Sequence, residues 1–203
     1  MSPDTETCGW QDWFFNPFHF IAGGRALAIG LAVVIVASLN GSVSRTHLDG
    51  VFDAHTGAAA PLWIYPIEGL VDWLVMGTAV WMAGRIVSKS RFRALDVYGT
   101  QALARFPTLI LVLVPLLPGF QRQLARLMAQ DSDVVVGDVV SFTVGLIVTV
   151  VMMVWMVALM YRAYAVSCNV QGRKAVVAFI IACLAAEAAS KGTLMAVFRR
   201  VLS

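Results

Sequence analysis

Long apolar stretches separated by short polar segments dominate the pattern of this chain. A helix needs about 20 mostly apolar residues to cross a bilayer core. Five stretches meet this requirement, at residues 26–43, 62–87, 97–117, 139–161 and 175–197. None of them alternates apolar and polar residues with a period of two, as a barrel strand would. The pattern therefore predicts an all-α, polytopic membrane helix bundle with five transmembrane helices.

The segment before the first span is rich in aromatic residues. Asn16 and Pro17 are surrounded by Trp10, Trp13, Phe14, Phe15, Phe18 and Phe20. Aromatic rings are stabilised at the headgroup level of a membrane. We therefore expect residues 1–25 to form an interfacial leader on the cytoplasmic side and residues 26–203 to form the transmembrane domain.

A second non-spanning pattern follows Pro118. Apolar residues recur at helical spacing, opposite a glutamine- and arginine-rich face: Phe120, Leu124, Leu127 and Met128. This pattern predicts an interfacial helix, or else an extension of the third span into water.

Composition agrees with a membrane protein and excludes a nucleic-acid partner. Hydrophobic residues make up 59% of the 203 residues and charged residues only 13%, against roughly a half and a quarter in soluble domains. The net charge of +3 is spread over short clusters beside the spans and forms no continuous basic stripe. The three cysteines, Cys8, Cys168 and Cys183, are odd in number and indicate no disulfide framework.

The basic residues of the loops predict the orientation. The second loop holds Arg85, Lys89, Arg91 and Arg93, and the fourth holds Arg162, Arg173 and Lys174; the first loop has Arg45 and the third has Arg122 and Arg126. Cytoplasmic loops are the ones enriched in Lys and Arg. We therefore expect the N-terminus in the cytoplasm and the C-terminus outside. Only Arg199 and Arg200, near the C-terminus, argue against this orientation. The acidic start, with Asp4 and Glu6, predicts no cleaved signal peptide.

Five ionisable residues fall within the predicted spans and form a candidate intramembrane charge network: Glu68, Asp72, Arg105, Glu187 and Lys191. A charge at this depth is costly unless it is paired or hydrated. Asp72 and Arg105 lie roughly 15 and 12 Å from the cytoplasmic edge, and Glu68 and Lys191 roughly 21 and 24 Å. Matched height predicts the pairs Asp72–Arg105 and Glu68–Lys191. Glu187 and Lys191 can also pair on one helix face, so the network either fixes helix register or serves as a titrating pathway.

Two further features bear on the packing of the spans. Pro66 and Pro107 adjoin charged residues and are expected to bend their helices and free the carbonyls of Leu62 and Leu103. The fifth span carries a stripe of small residues: Ala182, Ala185, Ala186, Ala189 and Ser190. Such a stripe lets another helix approach closely, within the bundle or in a homodimer.

The first loop contains candidate metal ligands. His47, Asp49, Asp53 and His55 follow one another within nine residues, and imidazole with carboxylate suits zinc or another divalent ion. The alternative is a polar loop in which these side chains bond backbone groups. Apart from this divalent metal, no cofactor is indicated.

No arrangement typical of a catalytic site is present in the sequence. It has no Gly-rich phosphate loop, no His-Glu-x-x-His helix and no nucleophile elbow, and its three histidines lie outside the predicted spans. We therefore expect a protein that is not an enzyme.

One motif carries a family resemblance. Asp96-Val97-Tyr98-Gly99-Thr100, followed by Gln101 to Pro107, resembles the entry to the third span of Yip-domain membrane proteins, a family named for members that interact with Ypt/Rab GTPases. The leader motif Asn16-Pro17-Phe18 and the five-span order are similar as well. Eukaryotic relatives have proline where this chain has Thr100, and the compact chain is more similar to bacterial members.

The resemblance implies a role, a location and partners. It implies a protein of the bacterial cytoplasmic (inner) membrane that organises membrane or partner proteins, with Asp96, Tyr98, Gly99 and Pro107 as family-motif positions. Its partners would be membrane lipids and other membrane proteins or a second copy. The alternative hypothesis is a small transporter or ion-coupled protein that uses the five intramembrane charges. A hydrated route to those charges would favour the transporter, because permeation requires one.

Overall fold

A computed structural model describes residues 10–131 and 135–201, and side chains from residue 13 to residue 198 outside the gap. The expectations that rest on Asp4, Glu6 and Cys8, and on the side chains of Arg199 and Arg200, lie outside these residues.

Among the described residues, five helical segments are long and apolar enough to cross a membrane. In chain order the α-helices are α1 Trp10–Phe15, α2 Gly23–Ser44, α3 Ile64–Val87, α4 Ala94–Leu103, α5 Thr108–Leu111, α6 Phe120–Met128, α7 Val136–Cys168 and α8 Gly172–Val201. Four spans are α2, α3, α7 and α8, and the third runs from Ala94 to Leu116 through α4 and α5. The prediction of an all-α bundle with five spans is confirmed, and this is an integral membrane protein.

The third span is broken in its middle. After α4 ends at Leu103 the chain makes turns up to Pro107, continues as α5, and ends in a 3-10 helix at Val114–Leu116. Pro107 has no N–H to donate and its ring would clash with a helical carbonyl at Leu103. That carbonyl instead accepts the N–H of Phe106 at 3.1 Å. The predicted bend at Pro107 is therefore confirmed, and the freed carbonyl is satisfied locally.

The predicted bend at Pro66 has a different outcome. It is the third residue of α3, whose first residue is Ile64. A backbone N–H in the first helical turn has no intrahelical acceptor, so proline is tolerated there without a kink. The predicted bend at Pro66 is wrong because the helix begins two residues later than the apolar stretch.

The leader folds against α7. Phe14 of α1 stacks on Trp155 with 4.3 Å between the ring centroids, and the Trp155 indole donates to the Phe14 carbonyl at 3.3 Å. Phe18, in a 3-10 helix at Pro17–His19, is buried. The exposed rings around them include Phe15 and Phe20.

The segment after Pro118 is a separate helix. The chain turns at Gly119, whose φ of 89° lies in the left-handed region that favours glycine. Arg122 and Arg126 of α6 then bind the Asp138 carboxylate at the start of α7, at 2.7 and 2.8 Å. The alternative in which the third span extends straight into water is therefore wrong.

Small residues let the bundle pack closely. A Cβ on Gly30 would lie 2.4 Å from the Leu103 nitrogen, and one on Gly99 would lie 2.7 Å from the Gly23 carbonyl oxygen. Helices α2 and α4 are thus in backbone contact. The hydrophobic core lies mainly among α3, α4, α7 and α8, and its fully buried side chains include Met76, Val80, Val97, Met160 and Tyr164.

Candidate functional site

The first loop is held over one end of the bundle by a short hairpin. Helix α2 ends at Ser44, and the next residue, Arg45, has a left-handed φ of 56°. The strands β1 Thr46–His47 and β2 His55–Thr56 then pair antiparallel, with His47 opposite His55. Gly50 lies between them, and a Cβ there would be only 2.5 Å from the Glu187 Oε1 atom. The absence of a side chain at Gly50 allows the loop to descend onto α8.

His47 and Glu68 form a buried pair below this hairpin. The His47 Nδ1 atom lies 2.9 Å from Glu68 Oε1, and its Nε2 atom lies 3.1 Å from the carbonyl oxygen of Ala58. The second Glu68 oxygen accepts the Leu48 backbone N–H at 3.2 Å. A carbonyl oxygen can only accept, so Nε2 carries a hydrogen. The pair therefore shares a proton between His47 Nδ1 and the Glu68 carboxyl group.

The surroundings of His47 favour its protonated form. Burial lowers the pKa of His47, but the hydrogen bonds with Glu68 and Ala58 and the nearby charges of Glu68 and Asp49 outweigh burial. The pKa of His47 is therefore raised above its ordinary value. A protonated imidazole bonded on both sides stabilises the loop against the start of α3.

Glu187 and Lys191 lie beside this pair on α8. Lys191 Nζ lies 2.7 Å from Asp53 Oδ2 and 3.1 Å from Glu187 Oε1, the i,i+4 pair foreseen in the sequence. The other Glu187 oxygen accepts the Phe52 backbone N–H at 2.9 Å. The first loop thus supplies a carboxylate that pairs with Lys191 and a backbone donor that bonds to Glu187.

Two predicted pairs are not formed. Glu68 pairs with His47, and Lys191 pairs with Asp53. No Lys191 nitrogen lies within 4.0 Å of a Glu68 oxygen. That prediction is wrong because the descending loop provides nearer partners for both. Asp72 and Arg105 also make no contact within 4.0 Å, although each charge acts on the other through space.

Asp72 instead bonds to a serine of the fifth span. The Ser190 hydroxyl donates to Asp72 Oδ1 across the interface of α3 and α8. Asp72 is completely buried and Arg105 is 3% exposed. Within the described residues, Asp72 Oδ2 and the Nε and Nη2 atoms of Arg105 have no hydrogen-bond partner.

An open cleft of about 920 Å³ lies between the first loop and the last turns of α8. We call it the loop cleft. Its polar wall includes His47, His55, Asp49, Asp53, Glu68 and Lys191, and its apolar wall includes Ile64, Leu194, Met195 and Phe198. The ion pair of Lys191 and Asp53 lines the loop cleft, whereas Asp72 and Arg105 do not.

The four candidate metal ligands are not arranged around one point. His55 Nδ1 bonds to Asp49 at 3.1 Å, Asp53 bonds to Lys191, and both ring nitrogens of His47 are engaged. No group of three or more His, Cys, Asp or Glu side chains in the described part of the chain is placed to hold a metal ion. Metal binding by this loop stays a prediction.

The small-residue stripe of the fifth span is partly buried and partly exposed. Ala182, Ala186 and Ser190 are buried against α3, so the predicted packing within the bundle is confirmed. Ala185 and Ala189 are exposed and line an apolar groove of about 620 Å³ between α3 and α8. Leu74, Thr78 and Met82 line its α3 side. We call this surface the α3/α8 groove.

The residues of the predicted family motif contribute to helix packing, and Asp96, Tyr98 and Gly99 lie in α4, which follows the second loop. The Tyr98 hydroxyl lies 2.8 Å from Thr78 Oγ1, and the Tyr98 carbonyl accepts the Trp73 indole N–H at 2.9 Å. Asp96 binds Arg93 at 3.1 Å. Gly99 lies against α2, and Pro107 lies at the break in the third span. The motif therefore joins α4 to α2 and α3.

Sequence reasoning missed Ser190 as a partner of Asp72 and His47 as a partner of Glu68. Ser190 was considered only as a small residue of the stripe. Its hydroxyl group could have indicated that it donates a hydrogen bond to a buried carboxylate. His47 is separated from Glu68 by 21 residues and by a turn of the loop, so no local spacing joins them.

Comparison with protein-family models, curated proteins and solved structures finds no match to this chain.

Proposed function

We propose that this integral membrane protein is a non-enzymatic organiser of partner membrane proteins, as the Yip resemblance implies, in a bacterial cytoplasmic membrane. The observation that carries this proposal is the enclosure of two intramembrane charges, Asp72 and Arg105. They are 0% and 3% exposed, and neither lines the loop cleft. A substrate route would require such groups to face water. Their enclosure favours a role in holding the helices in register.

The α3/α8 groove is the surface on which the partner is proposed to bind. Its walls are almost entirely apolar and carry the small residues Ala185 and Ala189. Without a hydrophobic driving force between helices in lipid, association depends on close packing, which small residues permit. The proposed occupant is a transmembrane helix of another membrane protein, and a second copy of this chain is the alternative outcome of the test.

Site-specific photo-cross-linking in native membranes tests this proposal. A benzophenone side chain at Ala189 is expected to yield one discrete protein adduct, and mass spectrometry identifies it as a second copy or as another membrane protein. The same group at Val150, which is 61% exposed on α7, serves as the lipid-facing control. Ala185→Trp should abolish the adduct by filling the groove while the protein remains folded. Lipid adducts alone at both positions would refute partner binding at this groove.

A second candidate function is a small transporter or ion-coupled protein, and one observation favours it. Asp72 and Arg105 retain unpartnered polar atoms beside a broken span, and broken helices in membrane proteins often line polar cavities. Proton flux into vesicles that contain the purified protein tests this candidate. Flux that is lost in Asp72→Asn, with normal folding, would favour it over the organiser.

A further inference from the structure

The loop cleft has one polar wall and one apolar wall. The first loop supplies the aspartates and histidines of the polar wall, α8 supplies Lys191, and the apolar wall consists of Ile64, Leu194, Met195 and Phe198. All of these side chains line one cavity of about 920 Å³, which is within the range of about 300 to 1,000 Å³ that is common for ligand sites. The two-faced lining fits a molecule with a polar head and an apolar tail.

Small residues keep the loop cleft open. Residues 57–60, with the sequence Gly-Ala-Ala-Ala, lie between β2 and α3 and line the cleft. None of them has a side chain larger than a methyl group, so none can fill the space in front of α8. The polar wall behind them is held in place by ring packing, since His47 stacks on His55 and on Tyr65 with 5.6 and 4.7 Å between the ring centroids.

The position of the loop cleft favours a lipid as its occupant. Its walls come from the loop after α2, from the start of α3 and from the last turns of α8. These segments are ends of membrane spans, where apolar helix gives way to polar loop. Met195, on the apolar wall, is 63% exposed. A lipid at this level has its headgroup beside the loop and its acyl chains beside the helices.

The polar wall carries both signs of charge and unused hydrogen-bonding capacity. Asp49 bonds to His55 through Oδ1, and Asp53 bonds to Lys191 through Oδ2. A carboxylate has about four acceptor positions, so each aspartate can accept a further donor. A lysine ammonium group has three N–H donors, and Asp53 and Glu187 are the two described partners of Lys191. The side chains of Asp53 and Lys191 are 42% and 44% exposed, so a ligand can reach both.

We propose that the loop cleft binds a phospholipid with an ethanolamine headgroup. The ammonium group of the lipid donates hydrogen bonds to Asp49 and Asp53, and its phosphate accepts one from Lys191. The first part of an acyl chain packs on Met195 and Phe198. A choline headgroup has a positive charge but no N–H to donate, and a glycerol headgroup has no positive charge for the two aspartates. The site is separate from the α3/α8 groove and does not depend on partner binding there.

Native mass spectrometry of the full chain tests this site. The protein is released from detergent micelles that contain equal amounts of dioleoyl phospholipids with ethanolamine, choline and glycerol headgroups. A chelator is present, so that no metal ion joins a lipid to the loop. We expect the ethanolamine lipid to be retained about tenfold more than the choline lipid, which is equivalent to about 1.4 kcal/mol, because a hydrogen bond to a charged group contributes at least this much.

Two variants assign the retained lipid to the loop cleft. Asp49→Asn combined with Asp53→Asn should abolish the preference, whereas Asp96→Asn should keep it. Asp96 is the matched control because it pairs with Arg93 and does not line the cleft. Ala59→Trp fills the cleft without changing a charge and should reduce retention of the ethanolamine lipid, even if the double variant does not fold. Retention of the choline or glycerol lipid as strong as that of the ethanolamine lipid, or a preference unchanged in either cleft variant, would overturn the proposal.

Discussion

A double-mutant cycle on Asp72 and Arg105 measures how strongly the two buried charges depend on each other. Asp72→Asn removes the negative charge but leaves an oxygen to accept the Ser190 hydroxyl. Arg105→Met removes the positive charge and retains most of the side-chain length. We expect each single substitution to destabilise the protein more than the double substitution, because each single leaves one charge buried without its counter-charge.

The structure sets the size of this effect. The nearest charged atoms are more than 4.0 Å apart, so their attraction stays below about 4 kcal/mol at an effective dielectric constant of about 20. Removing one member of a directly bonded buried pair typically costs about 3 to 5 kcal/mol. For charges separated as these are, we expect a coupling free energy of about 2 to 3 kcal/mol, near the top of the range measured for interacting residues.

The assay is unfolding in mixed micelles as the fraction of denaturing detergent is raised, together with thermal melts of the same four proteins. The exposed pair Arg93 and Asp96, in which the Arg93 side chain is 78% exposed, supplies the control cycle. Its coupling should stay below about 1 kcal/mol because solvent screens it. Additive losses at Asp72 and Arg105, with coupling below about 0.5 kcal/mol, would refute the reasoning and show that the two charges act independently.

Three further predictions concern the loops. Cysteines introduced at Ser88 and Asp131 should label from opposite sides of the membrane, and labelling from one side would refute the orientation. Bound divalent metal, measured by elemental analysis, should be lost when His47 and His55 are both changed to alanine, and equal metal content in the two proteins would exclude the site. Because the folded state raises the pKa of His47, its contribution to stability is complete below about pH 6.5 and is lost as the pH rises through the folded-state pKa. The melting temperature, measured with chelator present, should therefore fall as the pH rises above about 6.5 in the native protein and stay flat in His47→Gln; equal slopes would contradict this.

The helical architecture was predictable from sequence because burial in lipid depends on long, additive stretches of apolar residues. Each of the five predicted stretches overlaps a helical span, with the ends shifted by a few residues in most cases. The largest shift is in α7, which continues to Cys168 rather than ending at Tyr161. In its last turns the Ser167 hydroxyl lies 2.8 Å from the Thr100 hydroxyl of α4, and Tyr164 stacks on Phe179 of α8, so these side chains are satisfied within the protein and need no lipid.

The partners of the charges were not predictable in the same way. Helical rise gave approximate depths for Glu68, Asp72 and Arg105, but depth does not determine which helix faces lie together. A span counted as a continuous helix also omits the break between α4 and α5, where Arg105 lies. Matched height consequently predicted pairs that the bundle does not form.

What the sequence by itself determined is the number of spans, their helical character and the presence of costly charges within them, since these follow from local composition. The tertiary structure alone decided how those charges are satisfied. Ser190 reaches Asp72 from 118 residues away, and the Phe52 N–H reaches Glu187 across 135 residues. Such contacts depend on the lateral arrangement of helices and on a loop that descends between them at Gly50, and neither is encoded in any local pattern.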